Sequence, residues 1–259
     1  MKEGQDLTQA GHVKVSYSDK VSTIEFQHPS HNSLPSKLLG ELAQTIVSEG
    51  AKEEVVLILV KSGGERTFCA GASFDELVAI EDEAVGKRFF LGFANVINAI
   101  RTCGKIVIGR IQGKAVGGGV GLASAFDYCM ASKYASIKLS ELAVGIGPFV
   151  IGPAVQRKMG LSAFSQMAIN ATEWYTAEWG KSKGIYHEVF ESTEQLDAYL
   201  THFTDKLKEM NPEALSGLKK VFWEGTENWD QLLSERAATS GKLVLSEFSK
   251  KTIRGFLKA

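Results

Sequence analysis

The sequence predicts an α/β fold that ends in a run of helices, and three observations carry this. Segments of strand length alternate with helical periodicities through about residue 190. Two glycine-bearing loops each join a buried strand to a helix. Beyond about residue 191 the pattern is helical only, which sets a boundary between a core of residues 1–190 and a helical region of residues 191–259.

The elements follow in order. Val13 to Tyr17 and Val21 to Phe26 alternate and are split by Ser18-Asp19-Lys20, which predicts a β-hairpin. After a loop from His28 to Ser33, Leu34-Pro35 opens a helix with Leu38, Leu39, Leu42, Ile46 and Val47 on one face. Gly50 stops it, and Val55 to Val60 reads as a buried strand. A polar loop from Ser62 to Gly71 leads to helices near 74–81 and 83–102. A strand from Lys105 to Ile111 runs into a glycine-rich loop, Gly113 to Gly119, and a short apolar helix through Ala125. Strands near Tyr128–Ala131 and Ser136–Leu139 follow. From Pro148 the pattern is mostly helical, with one strand near Ile185–Phe190 and amphipathic helices near 193–209, 212–224, 228–240 and 242–254.

Composition excludes several classes. With 29 basic and 30 acidic residues the formal net charge is −1, without the basic excess of a nucleic-acid binder. Three widely spaced cysteines, Cys69, Cys103 and Cys129, make neither a zinc motif nor a disulfide framework, so a reducing cytoplasm is expected. The residues from Met1 to Thr8 lack the apolar stretch of a secretory signal, and no apolar run approaches the ~20 residues of a membrane span. The five histidines form no ligand pattern, and no metal or separate cofactor is expected.

The two loops, Thr67 to Phe74 and Val116 to Gly121, carry the functional signal. Ligands gather at strand-to-helix turns of α/β folds, and glycine lets backbone approach them closely. Free amides at a helix start point outward with partial positive charge. Two such turns side by side can aim two N–H groups at one oxygen, as in an oxyanion hole. Other glycine motifs do not fit. Ser124 stands where a dinucleotide fingerprint needs its third glycine, and no Ser or Thr follows Lys114 to make a phosphate loop.

Phe68-Cys-Ala-Gly-Ala-Ser-Phe-Asp-Glu-Leu77 and Ile111-Gln-Gly-Lys-Ala-Val-Gly-Gly-Gly-Val-Gly-Leu-Ala123 resemble two segments of the enoyl-CoA hydratase/isomerase (crotonase) family. Asp127-Tyr128, Gly184-Ile185 and His28-Pro29 with Asn32 and Leu34 extend the resemblance over nearly the whole chain. It implies a spiral of β-β-α units with a C-terminal helical trimerisation region. It also implies an acyl-CoA thioester as substrate and a homotrimer or dimer of trimers. The oxyanion donors fall on the amides of Ala72 and Gly118. Substrate contacts fall on Ala70, Gly71, Phe74, Gly117, Gly121 and Phe149, while Lys251 and Arg254 stand near the CoA phosphates.

Hydratases of this family usually present two glutamates. One matches Glu141, the expected acid–base residue; at the other position stands Gly121. A single glutamate can take a proton from one carbon and return it to another, which favours double-bond isomerisation of an enoyl-CoA. Hydration on one glutamate stays open, as does a degenerate acyl-CoA-binding subunit. Ser73, where the family commonly has Asp, reads as a helix cap.

Overall fold

The computed structural model describes residues 11–256, so the reading of Met1 to Thr8 lies outside the described residues. The hairpin forms as expected from β1 (His12–Ser18) and β2 (Val21–Gln27). β2 then pairs in parallel with β4 (Leu57–Ser62), which pairs with β7 (Ile106–Ile111), β9 (Tyr128–Ser132) and β11 (Glu188–Phe190) in turn. The result is a six-stranded sheet in the order β1-β2-β4-β7-β9-β11.

Both faces of this sheet are covered, which explains its continuous apolar runs. Ile24, Ile58, Val60 and Val107 pack with α1 (Ser36–Gly50) and α3 (Glu83–Thr102) in the main core. On the opposite face Val21, Leu57, Ile106 and Ile108 meet Leu196 and Leu200 of α7 (Thr193–Leu207) and Leu215 of α8 (Pro212–Phe222). The strand expected at Val55–Val60 sits two residues later. Its polar end is accommodated because Lys61 pairs with Glu25 across the sheet at 2.8 Å.

Four very short strands lie where loops were expected. β3 (Ser33–Leu34) pairs with β6 (Gly71–Ala72), and β8 (Lys114–Val116) lies between β5 (Thr67–Cys69) and β10 (Ile137–Lys138). Together they bring the two glycine segments side by side. α2 (Phe74–Val78) and α4 (Gly118–Ala125) leave from these strands, and the Ser73 hydroxyl accepts the Glu76 N–H, as a helix cap should. α5 (Gly152–Ile169) breaks at Gly160, where φ is +78°, and α6 (Ala177–Ser182) follows.

The region after residue 191 packs on its own chain. α9 (Trp229–Leu243) runs against α3 and sends Trp229, Leu233 and Ala237 into the main core. α10 (Glu247–Phe256) lies beside α2, with Ile253 in a small cluster that includes Ile80 and Val244. No described helix is long and apolar enough to cross a membrane.

Candidate active site

The three consecutive glycines that open α4 are each required by a neighbour. A Cβ on Gly117 would lie 2.9 Å from Oε1 of Glu141. Gly117 also has φ +52° and ψ −116°, a conformation that residues with a side chain avoid. A Cβ on Gly118 would lie 2.3 Å from the Phe93 ring, and one on Gly119 would lie 2.4 Å from the Cys69 carbonyl oxygen. The turn is therefore pressed between a carboxylate, an aromatic ring and β5.

Two backbone amides result. Gly118 is the first residue of α4, so its N–H has no carbonyl one turn earlier to bond. Beside it, Ser73 donates its N–H to the Leu34 carbonyl at 3.1 Å. Successive N–H groups of extended backbone point to opposite edges, so that of Ala72 is directed away from β3. Gly71, at φ +95°, brings the segments together: a Cβ there would stand 3.6 Å from the Gly118 nitrogen. Ala72 and Gly118 line the same cavity, of about 160 Å³.

Glu141 completes the arrangement. It precedes a single 3-10 turn, Leu142–Val144, whose end is fixed by Gly145 in the left-handed conformation. Its own carbonyl accepts the Ile146 N–H at 3.0 Å, which folds the segment around it. Oε2 is buried and has no hydrogen-bond partner among the described residues. Burial pushes the carboxyl up to about 7, with its own backbone N–H opposing weakly. Glu141 is the one ionisable side chain among the described residues lining the cavity.

Of the expected site residues, Ala70, Gly71, Ala72, Phe74, Gly117, Gly118, Glu141 and Phe149 all line this cavity. Gly121 does not. It is buried in α4 with its Cα facing Ile151, and a Cβ there would lie 2.4 Å from Ile151 Cγ2. Ile151 itself lines the cavity, so an aliphatic side chain stands between Gly121 and any ligand. Lys251 and Arg254 also lie outside it. They border a separate hollow on α10; Arg254 borders a second one, whose Leu77 is shared with the cavity. A polar groove lined by His28, Ser30, Ser33, Ser73 and Asp75 adjoins on another side, sharing Ala70, Ala72 and Phe74.

Several lining residues were missed by sequence reasoning. Phe89, Phe90 and Phe93 belong to a helix that reads simply as amphipathic, although their spacing on one turn is a signal in hindsight. Ser240, on α9, carries no sequence signal. Among the described residues no cluster of His, Cys, Asp or Glu could hold a metal ion.

Known proteins agree with this architecture. The chain spans 94% of its own length and 99% of an enoyl-CoA hydratase from Bacillus halodurans with a TM-score of 0.86 at 19% identity, a likeness of fold. A peroxisomal Δ(3,5)-Δ(2,4)-dienoyl-CoA isomerase of Arabidopsis thaliana is 26% identical, over 91% of this chain and 89% of that protein. A carnitinyl-CoA dehydratase of Proteus mirabilis is 28% identical over 78% of this chain and 76% of its own length. Residues 16–258 match the family described as enoyl-CoA hydratase/isomerase. With that match spanning nearly the whole chain, this protein belongs to the enoyl-CoA hydratase/isomerase family.

Proposed function

We propose that the protein shifts the double bond of a 3-enoyl-CoA thioester to the 2-position, with Glu141 as its only acid–base group. One observation carries the reading: a carboxyl with Oε2 unpartnered among the described residues, packed against Gly117 and lining the same mostly apolar cavity as Ala72 and Gly118. Ionised Glu141 takes a proton from C2. The electron pair moves onto the thioester oxygen, where the N–H groups of Ala72 and Gly118 stabilise the enolate. The same carboxyl returns the proton at C4, and the enolate pair reforms the carbonyl with the double bond at C2–C3. A carboxyl titrating near 7 is suited to both halves of this cycle. Ile151 in front of Gly121 supports the one-carboxylate chemistry.

The likeness to a carnitinyl-CoA dehydratase favours a second reading, in which one glutamate both activates water and relays its proton. Assay with a 3-enoyl-CoA and with crotonyl-CoA separates them. Conversion of the first alone fits isomerisation, whereas efficient hydration of the second with no action on the first would overturn it.

Lys251 and Arg254 are proposed to contact the CoA phosphates from α10. Charge reversal at both should raise KM for an acyl-CoA while sparing a pantetheine thioester, and equal effects would refute the contact. A homotrimer or dimer of trimers assembled through the helices after residue 191 is part of the same proposal. Exposed Leu218, Val221 and Phe222 on α8 support it, and a monomer by light scattering at micromolar concentration would count against it. A cytoplasmic setting is supported by three unpaired cysteines, and cell fractionation tests it.

A further inference from the structure

We infer that the acyl group taken by this cavity carries an uncharged oxygen, a hydroxyl or a carbonyl, in addition to the thioester's own, and that this oxygen pairs with Ser240. The inference rests on the CoA-thioester reading above and deepens it.

Ser240 is 1% exposed, yet it lines the cavity. A serine in a helix commonly bonds back to the carbonyl four residues earlier. Its neighbour Thr239 does so, to Glu235 at 3.1 Å. The Ser240 hydroxyl has no partner among the described residues, so its hydrogen-bonding capacity faces the cavity. A binding site of this kind fixes its ligand through a few polar groups set in apolar walls. Here the walls include Phe74, Phe89, Phe90 and Phe149.

The position of Ser240 is set by a glycine crossing. A Cβ on Gly86 would lie 2.8 Å from the Gly241 Cα, and one on Gly241 would lie 2.6 Å from the Lys87 nitrogen. α9 is thereby drawn onto α3 at Gly86. Phe93, whose ring meets Gly118, lies seven residues further on, about two turns or ~10 Å along the helix.

Charge narrows the ligand. No cation among the described residues lines the cavity, and Glu141 already brings a carboxyl into it. A carboxylate on the acyl group would be a buried charge without a counter-ion, which is strongly disfavoured. A neutral oxygen remains.

The test compares a short enoyl-CoA bearing a terminal hydroxyl with the enoyl-CoA of equal length ending in methyl. In the unaltered protein the ratio of kcat/KM, hydroxylated over plain, is expected to be about tenfold or more, because the plain analogue leaves a buried polar group unpaired. In Ser240→Ala the ratio should fall to within about threefold of unity, and Ser240→Thr should restore part of it. A ratio near one in the unaltered protein, or the same ratio in Ser240→Ala, overturns the inference. The matching saturated acyl-CoA pair, measured by calorimetry, gives the same ratio as affinities. If neither enoyl-CoA is converted, the isomerase reading fails while these affinities still decide the role of Ser240: equal affinities refute it, and a preference that Ser240→Ala abolishes upholds it.

Discussion

Glu49 and Glu141 are two glutamates held inside one fold with opposite consequences. Glu49, at the end of α1, is 4% exposed and surrounded by donors. Ser22 Oγ reaches it at 2.9 Å, Lys52 Nζ at 2.7 Å and Tyr17 Oη at 3.0 Å. Burial pushes its carboxyl up, but the hydrogen bonds from Lys52, Ser22 and Tyr17 outweigh it, and the group titrates below its ordinary value. Glu141 is also withdrawn from water but has no donor at Oε2, and its carboxyl rises to about 7. Burial is common to both. The missing donors are what leave Glu141 able to exchange a proton near neutral pH.

Glu141→Gln should therefore lower turnover of a 3-enoyl-CoA by ~10²–10⁴ while acyl-CoA binding persists, as kinetics and calorimetry can report. Glu49→Gln should leave turnover intact, since Glu49 lies outside the cavity. Comparable losses in the two variants would break the contrast.

A third carboxylate sharpens it. Gly121→Glu would drive a side chain into Ile151, so it is expected to destabilise the fold by about 3 kcal/mol or more without adding hydratase activity. Adding Ile151→Ala should recover part of the melting temperature. Hydration of crotonyl-CoA by Gly121→Glu alone would show that the site has room for a second acid.

The smallest effects are in stability against pH. The carboxyl of Glu49 is depressed, so its contribution is present above its unfolded value near 4.5 and lost as pH falls through the folded one. Glu49→Gln should cost about 1–3 kcal/mol at pH 7 in urea denaturation and progressively less below pH 4.5. Glu141 is raised, so its contribution is full below about 4.5 and lost as pH rises through about 7. Glu141→Gln should accordingly stabilise the protein by about 1–3 kcal/mol at pH 8 and have little effect at pH 4. Equal pH dependence in both variants would remove the distinction drawn here.

Much of this was legible in the sequence, where local pattern and tertiary demand coincide. The hairpin, α1, α3, β7 and the helices after residue 191 follow from periodicity, and Ser73 from its capping chemistry. Both glycine segments announced a close-packed turn. The short strands β3, β5, β6, β8 and β10 are two or three residues long. Pairing across the chain holds them in place, so periodicity marked a strand only around β10, at Ser136–Leu139. The packing of Gly121 was not legible because its decisive neighbour, Ile151, is thirty residues away and meets it through the packing of α5 on α4. Lys219 illustrates the same limit: it lies on an amphipathic helix, yet is 2% exposed and paired with buried Asp127 at 2.6 Å.

The crossing of Gly86 with Gly241 also bears on how the molecule is made. The two glycines lie about 155 residues apart in the chain. At a synthesis rate of ~5–20 residues per second, α3 leaves the ribosome on the order of ten seconds or more before α9 exists to cover it. Phe89, Phe93 and Ile97 would meanwhile lack that partner, and the cavity would lack its Ser240 wall. A nascent chain shortened before α9 should thus hold most of the sheet yet be prone to aggregation and dependent on chaperones. The cavity is fully walled only when nearly the last helix has arrived.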